Sequence, residues 1–129
     1  MSNYIEYIVK VYDDRTKKWY LNGNLHREDG PAIEWPSGNK EWCLNGKHHR
    51  EDGPAIVYST GTKKWYVNGR LHREDGPAVE YADGTKEWWI NGAEYTEEEF
   101  NKKMNSCDGK EVEIEGRAYI LKLKENKNV

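Results

Sequence analysis

The chain has 129 residues, 36% of them apolar, and its 23 acidic and 20 basic side chains give a net charge of -3. Acidic and basic residues are interspersed, so the sequence lacks the basic stripe through which proteins bind nucleic-acid phosphates, and we do not expect nucleic-acid binding. No apolar run is long enough to cross a membrane, and residues 1–10 do not form a signal-peptide pattern. We therefore predict a soluble, cytoplasmic protein without membrane contact.

Aromatic side chains supply much of the apolar content, with six Trp and nine Tyr against one Phe. Tyr and Trp combine a large apolar body with a polar tip, which suits them to partly exposed packing sites. We therefore expect a thin layer of flat side chains in place of a deep aliphatic core.

A repeat organises the sequence. The segment His-Arg-Glu-Asp-Gly-Pro-Ala starts unchanged at His26, His49 and His72, which sets a period of 23 residues. The same interval relates four tryptophans, Trp19, Trp42, Trp65 and Trp88, and four Asn-Gly pairs, at 22–23, 45–46, 68–69 and 91–92. A fixed period of this length is typical of repeat proteins. We predict an array of about 3.5 repeats over residues 1–92 and a non-repeating region over residues 93–129.

Within one repeat, strand and turn signals alternate. Residues 32–35 and 40–44 are strand-like, and the turn-forming residues 36–39 separate them. Asn45-Gly46 favours a type I′ hairpin turn, because both central residues of that turn need positive φ. The Glu-Asp-Gly-Pro segment is a further turn, since Pro lacks an N–H and fits poorly inside a strand. Each repeat is thus predicted to be a meander of short antiparallel strands.

Cross-strand pairs follow if each Asn-Gly pair is a two-residue turn. The predicted pairs are Leu44 with Lys47, Cys43 with His48, Trp42 with His49, Tyr20 with Leu25, and Tyr66 with Leu71. An aromatic-leucine pair becomes Cys-His in the middle repeat, which is the coordinated change that cross-strand neighbours show. Alternation along the strands places Trp42, Ile33 and Leu44 on one face, and Glu34 and Glu41 on the other.

The fourth repeat stops after Asn91-Gly92, and a different pattern follows. Thr96 and Glu99 form a capping box, which predicts a helix over about residues 97–105 that ends near Cys107-Asp108-Gly109. A hairpin is predicted over residues 111–123, with its turn at Glu115-Gly116. This region is predicted to cap the array, and as the only non-repeating surface it is also a candidate for a specific contact. The predicted fold class is mostly β: an elongated antiparallel β-meander or solenoid of 23-residue repeats with a small C-terminal helix-plus-hairpin cap.

The hairpins of the array resemble those of a known repeat family. Tyr58-Ser-Thr-Gly followed by Trp65-Tyr66-Val-Asn-Gly, and Tyr81-Ala-Asp-Gly followed by Trp88-Trp89-Ile-Asn-Gly, resemble MORN-type repeats in their bacterial and viral variant form. With the His-Arg-Glu-Asp-Gly-Pro-Ala segment, the unit is similar to a subgroup found in bacteriophages and other large DNA viruses, over about residues 9–92. The resemblance implies a scaffold that acts through protein contacts, sometimes lipid contacts, and often self-association. A viral source favours a small inhibitor of a host protein or defence system.

The thrice-repeated segment supplies the candidate binding residues, which we call the ladder. Its imidazoles, guanidinium groups and glutamates are His26, Arg27, Glu28, His49, Arg50, Glu51, His72, Arg73 and Glu74, and an Asp follows each Glu. Arginines at a fixed interval are suited to gripping phosphate or carboxylate groups. In the alternative, structural interpretation, each His lies opposite a Trp, the Asp shapes the turn, and Arg and Glu pair between adjacent repeats. The Trp row has the same two interpretations, as a packed layer or as a partly exposed binding face.

Catalytic residues, metal ligands and cofactors are not expected. An active site needs a singular constellation of unlike groups, whereas every ladder residue is one of three equivalents. His48 and His49 are strand neighbours that point to opposite faces, and no Cys/His spacing of a zinc site is present. Cys43 replaces an aromatic residue of the other repeats and is interpreted as a small apolar substitute, without a disulfide to Cys107.

These features favour a noncatalytic protein-binding module whose partner, such as a host protein, contacts the repeated face, and which can act as a homodimer. Two other functions stay open. One is a small-ligand or nucleotide sponge in which Arg27, Arg50 and Arg73 grip phosphates while Trp or Tyr stacks on the base. The other is a metal-dependent hydrolase.

Overall fold

The computed structural model of this chain describes residues 5–108, 111–114 and 117–120, with side chains described over residues 5–105. It divides into two compact units, Met1–Glu94 and Tyr95–Val129. The fold class is confirmed as mostly β, with an antiparallel meander followed along the chain by one helix and a hairpin. The domain boundary after residue 92 stays a prediction.

The meander consists of fourteen strands, and most of them are two residues long. They are β1 (Tyr7–Val11), β2 (Lys17–Leu21), β3 (Asn24–Leu25), β4 (Ile33–Glu34), β5 (Lys40–Glu41), β6 (Cys43–Leu44), β7 (Lys47–His48), β8 (Ile56–Val57), β9 (Lys63–Lys64), β10 (Tyr66–Val67), β11 (Arg70–Leu71), β12 (Val79–Glu80), β13 (Lys86–Ile90) and β14 (Ala93–Tyr95). The main sheet has the order β1-β2-β4-β5-β8-β9-β12-β13-β14, with β3 paired to β2. Each middle repeat therefore contributes two strands to the main sheet, and its Asn-Gly hairpin forms a separate two-stranded ribbon, β6-β7 or β10-β11.

The Asn-Gly turns have the predicted geometry and register. Asn22, Asn45, Asn68 and Asn91 have φ between 50° and 53°, and the glycines that follow them have φ between 80° and 83°. Both central residues thus lie in the left-handed region, as a type I′ turn requires. The pairs Tyr20–Leu25, Cys43–His48, Leu44–Lys47 and Tyr66–Leu71 are all confirmed.

The predicted strand over residues 40–44 is interrupted at Trp42. Its two halves pair with different neighbours, since β5 lies between β4 and β8 while β6 pairs with β7. Trp42 stands at this change of partner: its N–H donates to the Ala55 carbonyl at 2.7 Å, and its carbonyl accepts the His49 N–H at 3.0 Å.

The predicted assignment of Ile33 and Glu41 to opposite faces is wrong. The register places Ile33 directly opposite Glu41 in neighbouring strands, so both side chains lie on one face. The reason is the turn between them, where Gly38 has φ 101° and donates its N–H to the Trp35 carbonyl. This arrangement inserts an extra residue as a β-bulge does and shifts the alternation by one position.

Small aliphatic side chains, and not the indoles, form the fully buried layer. Ala32, Ala55 and Ala78 have no exposed surface, and the next residue of each repeat is buried as well: Ile33, Ile56 and Val79. The four repeated tryptophans are only half-buried. The core of the array is thus thin, as predicted, but its innermost layer comes from the Pro-Ala-Ile/Val segments.

The C-terminal unit contains the helix α1 (Glu97–Asp108) and the paired strands β15 (Glu111–Ile114) and β16 (Arg117–Ile120). The capping box is present, because the Thr96 N–H donates to Glu99 Oε1 at 2.9 Å and the Glu99 N–H donates to Thr96 Oγ1 at 3.0 Å. The helix runs three residues beyond the predicted end at 105. The predicted turn at Glu115-Gly116 and the hairpin residues 121–123 lie outside the described residues. Over the part of the chain that is described, no helix has the length and apolarity that crossing a membrane requires.

Candidate functional site

The three arginines of the ladder lie flat against tryptophan rings. The guanidinium carbon is 3.9, 3.8 and 3.9 Å from the ring centroid in the pairs Arg27–Trp19, Arg50–Trp42 and Arg73–Trp65. A cation over an indole face is attracted by the ring quadrupole. Trp88 lies beyond the last ladder step, and the repeat position of the arginine is there occupied by Thr96, the helix N-cap.

The opposite side of each guanidinium is covered by the glycine of the same segment. A Cβ placed on Gly30, Gly53 or Gly76 would lie 2.9, 2.9 or 3.0 Å from the guanidinium carbon of Arg27, Arg50 or Arg73. These three glycines do not have positive φ. A side chain at this position would therefore force the guanidinium to shift, because the arginine occupies the space of its Cβ.

Most guanidinium donors are already used within the chain. Each Nε donates to the Asp two residues on, at 2.8 to 3.0 Å, and each Nη1 donates to the carbonyl of Pro31, Pro54 or Pro77 at 3.0 to 3.1 Å. In the first and third steps Nη1 also reaches a glutamate, Glu34 at 3.3 Å and Glu80 at 3.1 Å. Val57 occupies that position in the middle repeat. The arginines thus bond mainly within their own segment and the ladder glutamates lie beside the histidines, so the described contacts do not include the predicted pairing of ladder Arg with ladder Glu between adjacent repeats.

The ladder histidines connect consecutive repeats. The Nδ1 atoms of His26, His49 and His72 accept the backbone N–H of Asn45, Asn68 and Asn91 at 2.9 to 3.0 Å. Their Nε2 atoms lie 3.0 to 3.1 Å from Glu28, Glu51 and Glu74. This pattern assigns the proton to Nε2, since Nδ1 must be an acceptor. Each imidazole therefore holds the Asn-Gly turn of the next repeat against its own.

The carboxylates are the outward-facing part of the ladder. The side chains of Glu28, Glu51 and Glu74 are 68%, 81% and 69% exposed, and those of Asp29, Asp52 and Asp75 are 87%, 88% and 86% exposed. The Arg27 hydrogen bond lowers the pKa of the Asp29 carboxyl, which keeps it charged. Each step carries one guanidinium and two carboxylates around a neutral imidazole, so its outer edge is anionic.

Three similar grooves lie along the ladder, one beside the first step and one in each of the two gaps between steps. The first, of about 460 Å³, has Trp19, Tyr7 and Val9 in its lining. The second, of about 640 Å³, lies between the first and second steps over Trp42 and Leu44. The third, of about 670 Å³, lies between the second and third steps over Trp65 and Val67. Each groove thus combines an indole and aliphatic floor with ladder carboxylates at its rim. The structure brings together every predicted ladder residue and three of the four predicted tryptophans.

A second cluster lies in the middle repeat, where Glu41, Cys43 and His48 offer ligand atoms within 4.8 Å of one another. His48 Nε2 is 2.6 Å from Glu41 Oε1, and the His48 ring packs against Tyr66 with centroids 5.2 Å apart. Cys43 is a free thiol and only 2% exposed. Burial, and then the charge of Glu41, raises the pKa of this thiol to about 11. The sequence interpretation missed this cluster because it treated Cys43 as a small apolar substitute, although alternation along the strand and the predicted pairing of Cys43 with His48 already placed the three side chains on one face.

Comparisons of the chain with protein-family models, curated proteins and solved structures find no match. The resemblance to MORN-type repeats therefore stays a prediction from the sequence.

Proposed function

We propose that this chain is a noncatalytic protein-binding repeat module whose grooves hold an extended, basic segment of a partner protein. The observation that carries the proposal is the threefold recurrence of a groove with an indole floor and an anionic rim. Lys and Arg side chains suit such a groove, because their alkyl stems pack on aromatic surface while the charged head meets carboxylates. Identical sites in series favour a repetitive ligand over a single reacting substrate.

The spacing of the grooves fits an extended chain. Each middle repeat adds two strands to the main sheet, and strands lie about 4.8 Å apart, so neighbouring grooves are about 10 Å apart. An extended segment in the polyproline II conformation has three residues per turn and rises about 3.1 Å per residue, so every third side chain lies on the same side, about 9 Å further along, and meets an equivalent groove. We therefore expect the partner segment to carry Lys or Arg at every third position.

The contacts favour this function over the nucleotide sponge. A bidentate grip on a phosphate uses two guanidinium nitrogens, but Nε and Nη1 of each arginine already bond to groups of the same segment, which leaves Nη2 for a phosphate. The groups that do face outward are carboxylates, which repel phosphate.

Peptide binding tests the proposal. A fluorescent peptide with Lys at every third position is compared, by anisotropy, with a peptide of the same composition whose lysines are clustered at one end. We expect the spaced peptide to bind more tightly, and its binding to weaken as salt is added. Equal affinity for the two peptides would show that lysine spacing does not affect binding, and it would contradict the expected match between the peptide and the groove spacing.

A charge variant identifies the surface involved. Replacing Glu28, Glu51 and Glu74 by Gln removes three charges but keeps an acceptor for each histidine, and at about 0.5 kcal/mol for each exposed ion pair it should weaken binding roughly tenfold. The matched control replaces three exposed glutamates outside the ladder, Glu94, Glu97 and Glu98, by Gln. Unchanged binding in the ladder variant, or an equal loss in the control, would move the site elsewhere.

We include self-association in this proposal, through the free edge of β1. Among the described residues β1 pairs only with β2, and Ile8, Val9 and Val11 are 49%, 47% and 63% exposed. The Tyr12 N–H donates to the Thr16 carbonyl on the β2 side, so alternation points the N–H and C=O groups of Val9 and Val11 away from β2. A second copy paired antiparallel about Val9 would place Lys10 opposite Ile8, with no like charges facing each other.

The Val9→Pro variant tests this edge, because it removes a donor that points outward and leaves the pairing with β2 intact. Sedimentation should show a dimer for the unchanged chain and for Val9→Thr, and a monomer for Val9→Pro. A monomeric unchanged chain at high concentration rules out the second copy as the occupant of this edge.

A further inference from the structure

The cluster in the middle repeat arises from a coordinated change at three repeat positions. The first repeat has Lys18, Tyr20 and Leu25 there, the third has Lys64, Tyr66 and Leu71, and the second has Glu41, Cys43 and His48. Repeats one and three thus agree, and all three of the changed side chains in the repeat between them are metal-ligand types. The fourth repeat also has a glutamate at the first of these positions, Glu87, which accepts hydrogen bonds from Tyr81 and Trp89, so Cys43 and His48 are the substitutions that occur only in the middle repeat.

The fold brings these three side chains to one place from three strands. Glu41 is in β5, Cys43 in β6 and His48 in β7, and Cys43 and His48 are direct cross-strand partners. Their ligand atoms lie within 4.8 Å of one another, which leaves room for an ion between them. The Cys43 residue is buried, whereas the His48 and Glu41 side chains are 35% and 21% exposed. The cluster is therefore open to solvent on the side of His48 and closed behind the sulfur.

We propose that Glu41, Cys43 and His48 bind a zinc ion, with water in the fourth position. One thiolate, one imidazole and one carboxylate form a borderline-soft donor set, and three protein ligands with an open fourth position are a common zinc arrangement. Zinc binding would replace the short contact between Glu41 and His48 by two metal bonds, release the thiol proton to solvent, and leave the imidazole proton on the ring nitrogen that does not bind the metal. The ion would join the main sheet to the β6-β7 ribbon at the middle of the array. This site is independent of the ladder grooves.

Cobalt provides the direct test, because thiolate ligation of Co²⁺ gives charge-transfer absorption in the near ultraviolet and d–d bands in the visible. The chain is titrated with Co²⁺ after removal of any histidine tag, and Zn²⁺ is then added. We expect one Co²⁺ bound per chain with thiolate bands that Zn²⁺ abolishes, and we expect Zn²⁺ alone to raise the melting temperature.

The matched variant carries Glu41→Lys, Cys43→Tyr and His48→Leu, which are the residues of the first and third repeats and therefore suit the local fold. This variant should lose both the cobalt bands and the zinc stabilisation, while Cys107→Ser should keep them. Absence of thiolate bands in the unchanged chain overturns the proposal. So does their persistence in the triple variant, which would assign the ligation to Cys107.

Discussion

At the scale of single residues, the arginine of each ladder step is held between an indole and a glycine. The sequence left open whether these arginines bind a ligand or pair with glutamates of adjacent repeats, and the structure instead pairs each of them with the Asp of its own segment, Asp29, Asp52 or Asp75. The stacking of these arginines on Trp could not be predicted, because it depends on the tertiary path that brings the His-Arg-Glu-Asp segment beside the indole. The role of the glycine could not be predicted for the same reason, because the glycine is favoured by the limited space beside the guanidinium and not by a positive φ.

Gly53→Ala tests this arrangement in the middle repeat. The new Cβ would lie 2.9 Å from the guanidinium carbon of Arg50 and displace it from Trp42 and Asp52. We expect a loss of about 1–3 kcal/mol in the free energy of unfolding, measured by urea denaturation. In an Arg50→Ala background the same substitution should cost little, because the group it displaces is gone. A full loss in that background would contradict the arrangement.

At the scale of elements, the turns were predictable and the strand boundaries were not. Asn-Gly specifies a type I′ turn by itself, so the hairpin register followed from two residues. The interruption at Trp42 depends on which neighbouring strands are available on each side, and the local alternation of side chains does not contain that information. The shift at Gly38 likewise could not be predicted, and it reverses the expected faces of Ile33 and Glu41.

The last three Asn-Gly turns each depend on the histidine of the preceding repeat. His49→Phe keeps a ring but removes the Nδ1 acceptor, which leaves the Asn68 N–H without its partner beside a side chain only 13% exposed. We expect destabilisation by about 0.5–1.5 kcal/mol and faster hydrogen exchange at the Asn68 amide. His49→Asn offers an oxygen near the position of Nδ1 and should retain much of the protection. Equal exchange rates in both variants would show that the hydrogen bond does not hold the turn.

At the scale of the whole molecule, the period determined most of what could be predicted. Once 23 residues define a unit, the meander, the row of hairpins and the ladder follow by repetition. The repeat did not predict which charged side chains of the ladder face solvent, because the order of residues does not say which side chains turn toward the array. The structure places the guanidinium groups against the array and the carboxylates outward, and this polarity leads us to a basic partner.

The most direct measurement of that claim is a titration of the chain with the spaced lysine peptide, followed by NMR of the indole N–H signals. Trp19, Trp42 and Trp65 line the three grooves, whereas Trp35, Trp88 and Trp89 line none of them. We predict that the first three signals shift together with one dissociation constant and that the other three stay unchanged. Unmoved groove signals, or shifts confined to Trp88, Trp89 and the residues after 92, would contradict the account.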